Sequence, residues 1–159
     1  MPLFLTEGKH LLEDVPAMLA ASGAQLVEGP ASYPETMAKL LADRAAEERG
    51  RCRAVMFVLY RLLGATALAG VLYDQSKRFS LPAIAALYGE CSFADVLALW
   101  RREGVMEAMV QPALLFPGSS LDELKQKAAG SGMQVRVGEP LATLPGFVDW
   151  VAGRFLEAA

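Results

Sequence analysis

The chain has 159 residues and a net charge of −3, from 15 Lys+Arg against 18 Asp+Glu, and 53% of it is apolar. That hydrophobicity excludes a disordered segment, two cysteines exclude a disulfide scaffold, and an acidic balance excludes a general nucleic-acid binder. The apolar excess lies in 26 Ala and 24 Leu, against one Ile and no Asn, a bias typical of GC-rich bacterial coding.

Leu3–Thr6 reads as a short strand. The chain after Gly8 reads as helical to Ser22. Pro16 fits only a first helical turn, so Asp14 is expected to cap a fresh start there, and Gly23 is the expected stop. Ala24–Glu28 reads as the next strand. Ser32 and Glu35 then form an S-x-x-E capping box for a helix through Arg49. Its inner face is Met37, Leu40, Leu41, Arg44 and Ala45, and Gly50 ends it.

Val55–Tyr60, rich in β-branched and aromatic residues, predicts a central strand buried on both faces. The wider stretch Ala54–Leu72 is nineteen residues with a single charge, Arg61, near its middle. A spanning helix needs about 20 apolar residues and a central Arg opposes insertion, so a buried core segment is preferred over a membrane span. Thr66–Lys77 fits a helix or a returning strand, with helix preferred. Ser80–Leu81–Pro82 predicts the opening of a short helix to Tyr88.

Ser92 is the expected cap of a helix whose Phe93, Val96, Leu97 and Trp100 fall at i, i+3, i+4 and i+7. Ala113–Phe116 and Gln134–Val137 read as strands around a solvated helix, Leu121–Ala129, with Ser120 and Glu123 as its capping box. The last helix, Leu144–Leu156, carries Leu144, Phe147, Val148, Val151 and Phe155 on one stripe, with Trp150 beside it. The expected fold is therefore a single α/β domain with a mostly parallel sheet of about five short strands flanked by helices. Pro2–Pro34 and Pro112–Pro145 share their Gly, Pro and Leu punctuation, which predicts either an internal pseudo-repeat or convergence on one turn chemistry.

Met1–Pro2–Leu3–Phe4 has no basic region and Glu7 breaks the apolar start, so no secretory signal is read. With Cys52 and Cys91 as the only thiols, a reducing cytoplasm is the expected setting. No zinc-type spacing, calcium loop, G-x-G-x-x-G or G-x-S-x-G motif occurs, and neither a metal nor a cofactor is expected. In an open parallel sheet, ligands bind beyond the carboxyl ends of the strands where strand order reverses. Two loops there carry the candidate chemistry. Thr6–Glu7–Gly8–Lys9–His10 places an acid, an amine and the single histidine together, with Glu7 or His10 as acid/base and Lys9 or Arg61 to hold an anion. The turn Pro117–Gly118–Ser119–Ser120 offers backbone donors and hydroxyls at a helix start, beside the capping role of Ser120.

Two functions follow. The first is a small cytoplasmic regulatory or accessory module that self-associates, or binds a protein partner, through an apolar helix face bearing Phe93, Trp100, Phe147, Trp150 and Phe155. The alternative is a small enzyme with its site around Thr6–His10 and Gly118–Ser120. Charge is uneven, with Arg51, Arg53, Lys77, Arg78, Arg101 and Arg102 making the middle third basic.

Overall fold

A computed structural model describes residues 1–6 and 8–159. Four parallel strands form one sheet: β1 (Ala54–Leu59), β2 (Leu81–Ala86), β3 (Glu107–Ala113) and β4 (Gln134–Val137), in the order β2-β1-β3-β4. The helices are α1 (Val15–Ser22), α2 (Pro34–Glu48), α3 (Thr66–Ser76), α4 (Phe93–Arg102), α5 (Ser119–Ala129) and α6 (Pro145–Ala158). β1 is the pivot, pairing Phe57 with Ile84 of β2 on one side and with Gln111 of β3 on the other.

All six residues of β1 are buried, so successive side chains feed two cores. Val55, Phe57 and Leu59 join Met37, Leu41, Leu68, Leu72, Leu141 and Phe147 beneath α2, α3 and α6. Met56 and Val58 join Phe93, Leu97, Trp100, Val110 and Leu124 beneath α4 and α5. A strand covered on both faces needs no polar alternation, which is why AVMFVL reads as a continuous apolar run. Helices on both faces also follow from right-handed crossovers, which change side as the chain reverses direction across the sheet.

Several expectations are corrected. Leu3–Thr6 and Ala24–Glu28 are not strands, and Ala24–Leu26 is exposed along its length. Leu81–Ala86 is strand β2, not a helix. Pro82 reads as a helix opener in the sequence, yet it sits on an edge strand, where a missing N–H removes no interior ladder bond. The third strand lies upstream of Ala113–Phe116, because Gln111 and Pro112 disguise a segment that is buried from Ala108 onward. Pro112 lies beyond the last β3–β4 pair, Val110 with Val137, and stands opposite Val58 of β1 on its other side.

The pseudo-repeat is not a repeat of structure. The described residues of 2–34 hold helical turns and no strand, whereas 112–145 hold the end of β3, α5 and β4. Ala54–Leu72 divides into β1, a turn and the first half of α3, and among the described residues no helix is long and apolar enough to cross a membrane.

Candidate functional site

Strand order reverses between β1 and β3, and a ligand site of this architecture is expected where their carboxyl ends part. A cavity of about 400 Å³ lies there. Its floor is Leu59 and Ala113, its walls are Tyr60, Arg61, Leu63 and Gly64 after β1 with Leu114 and Leu115 after β3, and Leu3–Thr6 with Gly8 close the remaining side. Leu5, Thr6 and Gly64 also border a second cavity of about 540 Å³, onto which the starts of α2 and α3 open. Neither helix start has a side-chain cap, since Tyr33 and Ala65 occupy the cap positions. The expected capping box of Ser32 and Glu35 is thus absent from α2.

The structure divides the predicted candidates. Gly8 and Arg61 meet in the crevice with Thr6. Glu7 lies outside the described residues. Lys9 and His10 do not line either cavity: Lys9 reaches Glu13 at 4.0 Å, and His10 Nδ1 lies 2.5 Å from Asp14 Oδ2 on an exposed helical turn. The Asp14 carboxylate therefore pairs with His10 and does not cap α1, while Gly23 ends α1 in the left-handed region as expected (φ 66°).

Ser119 and Ser120 begin α5, away from the crevice cavity. Gly118 precedes them and no side chain caps the helix. Glu123 does not fold back as a capping box. Its carboxylate accepts the Tyr88 phenol on one oxygen and lies 2.7 Å from Lys127 Nζ on the other. The Tyr88 ring packs edge-on against Tyr60, with centroids 5.0 Å apart. The hydrogen bond to the carboxylate, followed by partial burial, holds the Tyr88 phenol above its usual range. Lys127 first, and then the Tyr88 hydroxyl, hold Glu123 below the usual carboxylate range. Across neutral pH the pair is a phenol bound to a carboxylate.

Sequence reasoning missed this chain of groups. Glu123 and Lys127 stand at an i,i+4 spacing that looks like ordinary surface pairing. Its signal in the sequence is Tyr88 directly after an apolar run, which reads as helix from its letters and folds as β2. Phe93, Trp100 and Phe147 are core residues, each no more than 6% exposed. Trp150 packs between Phe147 and Tyr33, and Phe155 remains half exposed. The apolar stripes therefore mostly face this chain's own interior. Cys52 and Cys91 are both free thiols. Among the described residues no three His, Cys, Asp or Glu side chains converge as metal ligands do.

No family model matches the sequence, and no curated protein matches it. Solved structures do share its fold. SirB from Bacillus subtilis, solved with Fe3+, superposes with a TM-score of 0.72 at 17% identity, over 99% of this chain and 69% of that one. CbiX, described as the terminal enzyme for siroheme biosynthesis in denitrifying bacteria, gives 0.69 at 18% identity, over 99% and 74%. DR2241 from Deinococcus radiodurans, a multi-domain protein structurally similar to chelatases, gives 0.68 at 19% identity, over 99% of this chain but 40% of that one. The fold is thus a chelatase-like α/β fold. This likeness overturns the regulatory or accessory module as the main reading of the chain.

Proposed function

We propose that the chain is a small enzyme of the chelatase type, acting on a planar macrocycle with carboxylate side chains in the crevice between the carboxyl ends of β1 and β3. The observation that carries this reading is the cavity at the point where strand order reverses, in a fold that SirB and CbiX share. Arg61 is exposed at its rim and forms no ion pair among the described residues. It is suited to a carboxylate, which a guanidinium grips with two parallel hydrogen bonds. The uncapped start of α3 beside it presents backbone N–H groups and a positive dipole end, which also favour an anionic substituent. Leu3 and Leu63, both exposed, offer apolar contact to the body of the ligand.

The metal ion enters this reading as substrate, taken up by the nitrogens of the macrocycle as their N–H protons leave. The chain's contribution is to hold the ring and exclude water from one of its faces. A cytoplasmic setting belongs to the same proposal, supported by the free thiols.

The test follows the absorbance of the metal-free siroheme precursor with ferrous or cobaltous ion, with and without the chain. The expected result is saturable binding and faster conversion to the metallated spectrum. Arg61→Ala is expected to weaken binding about tenfold, the loss of one charge-assisted contact. An unchanged conversion rate, together with no spectral shift on adding saturating chain, would overturn the proposal.

A further inference from the structure

Tyr60 stands at the lip of the crevice, 49% exposed, yet its ring is braced from behind. Tyr88 meets it edge-on at 68°, and the Tyr88 backbone N–H donates to the Tyr60 carbonyl at 3.1 Å. Tyr88 is itself tethered at its far end. Its hydroxyl donates to Glu123, Glu123 is paired with Lys127, and the Lys127 ammonium lies 5.6 Å from the Tyr88 ring centroid. The turn carrying Tyr88 contains Cys91 at φ 54°, the one non-glycine residue among those described with positive φ. A side chain held there is strained and persists when its surroundings over-determine it. The tether from Tyr88 to α5 is such a constraint. The Arg61 guanidinium lies over the same ring as the crevice lip, 5.8 Å from the Tyr60 centroid.

From this bracing we infer that the Tyr60 ring is the platform on which the flat face of the ligand stacks, and that Tyr88, Glu123 and Lys127 are positioning residues that hold it at its angle. The inference rests on the crevice being the substrate site. A fixed aromatic face binds a planar π-system at low entropic cost, because the ring is already ordered before the ligand arrives. In the free chain the exposed Arg61 guanidinium lies over the Tyr60 ring, and a stacking ligand would take its place on that face. Arg61, lying by the same ring in the free chain, would then meet a carboxylate at the edge of the stacked ligand. The same arrangement explains why Glu123 and Lys127, remote from the cavity lining, are joined to it through an aromatic pair.

The test uses the full chain and uroporphyrin, a planar tetrapyrrole with eight carboxylates. Affinity is read from quenching of the porphyrin emission, and orientation from the circular dichroism induced in its strong near-ultraviolet band. Tyr60→Leu is expected to weaken binding about tenfold and abolish the induced signal, while Tyr60→Phe keeps both within about twofold. Tyr88→Phe retains the edge-on ring but cuts the tether. It is expected to weaken binding about threefold and change the induced signal, and Glu123→Gln, which can still accept the phenol, to do less. If Tyr60→Leu binds like wild type while Arg61→Ala does not, the platform is wrong and the crevice reading stands. If Tyr88→Phe lowers the melting temperature but moves neither affinity nor the induced signal, its role is structural only and the positioning claim falls. If wild type shows no binding at about 100 μM porphyrin, an affinity weaker than about −5.5 kcal/mol, crevice and platform fall together.

Discussion

Gln111 is fully buried in the middle of β3, and its amide is committed in one direction. Nε2 donates to the Glu139 carbonyl at 2.9 Å and to the Pro112 carbonyl at 3.3 Å, pinning the segment after β4 against the strand beside it. Oε1 has no partner among the described residues. A Cβ built on Gly138 would lie 2.4 Å from that oxygen and 2.9 Å from Met109 Cε. Gly138 is thus a matter of close approach, and its backbone conformation does not come into it. Gly138→Ala must displace the Gln111 amide or the β4 end, and overpacking of this kind costs about 1–3 kcal/mol. Denaturant unfolding is expected to show that loss at Gly138 and about zero loss for Gly153→Ala, where nothing lies within 4 Å of the added methyl and helix propensity improves. Equal effects at the two sites would refute the close-approach account.

At the scale of elements, α4 shows what local chemistry alone can specify. Ser92 Oγ accepts the Ala94 N–H at 3.2 Å, Asp95 sits in the first turn, and Arg101 and Arg102 sit in the last. Cap, dipole complement and apolar stripe all agree, so this helix was legible from its letters. Ser92→Ala is expected to cost about 1 kcal/mol, while Ser92→Asp should retain most of the stability. A melting temperature unchanged by Ser92→Ala would show that the tertiary contacts of Phe93 and Leu97 fix the helix start unaided. β1 and β4 were legible for a related reason, their patterns being unmixed. β2 and β3 were not, because their identity is conferred by neighbours: an Ala-rich, Pro-bearing stretch becomes a strand only when β1 offers its edge. The crevice was half legible on the same grounds. The rule that ligands gather at strand carboxyl ends found Arg61 and Gly8. Tyr88 and Glu123 required knowing that residue 88 follows a strand and that α5 lies within its reach.

Parallel strands give the molecule two unlike ends. The starts of α3, α4 and α5 follow the carboxyl ends of strands, and the ends of α2, α3, α4 and α5 lead into the amino ends. The crevice therefore opens at the end where helix dipoles are positive, which suits an anionic ligand. The opposite end gathers partial negative charge from helix C-termini. Arg49 stands there with Lys77, Arg78, Arg101 and Arg102 of the basic middle third, and their charges complement those dipoles. Asp43 is the carboxylate drawn into this arrangement. Lys39 lies 2.6 Å from it, and Arg78 reaches it with both terminal nitrogens at 2.9 Å, joining α2 to the turn after α3. The Lys39 hydrogen bond first, and then Arg78, hold its carboxyl below the usual range. A depressed folded value means that the stabilisation is fully present above the unfolded value near pH 4 and is lost as pH falls through the lower folded value. Solvent screening keeps so exposed a pair to about 1 kcal/mol or less. The melting temperature of wild type is thus expected to fall more steeply below about pH 4 than that of Asp43→Asn. The gap between them, widest at neutral pH, should narrow in about 1 M salt, where screening acts within a few ångströms. Parallel curves through acid pH would show that Arg78 and Asp43 meet without stabilising the junction, and the tie between α2 and the turn after α3 would then rest on the apolar core that holds Leu41, Leu72 and Phe79.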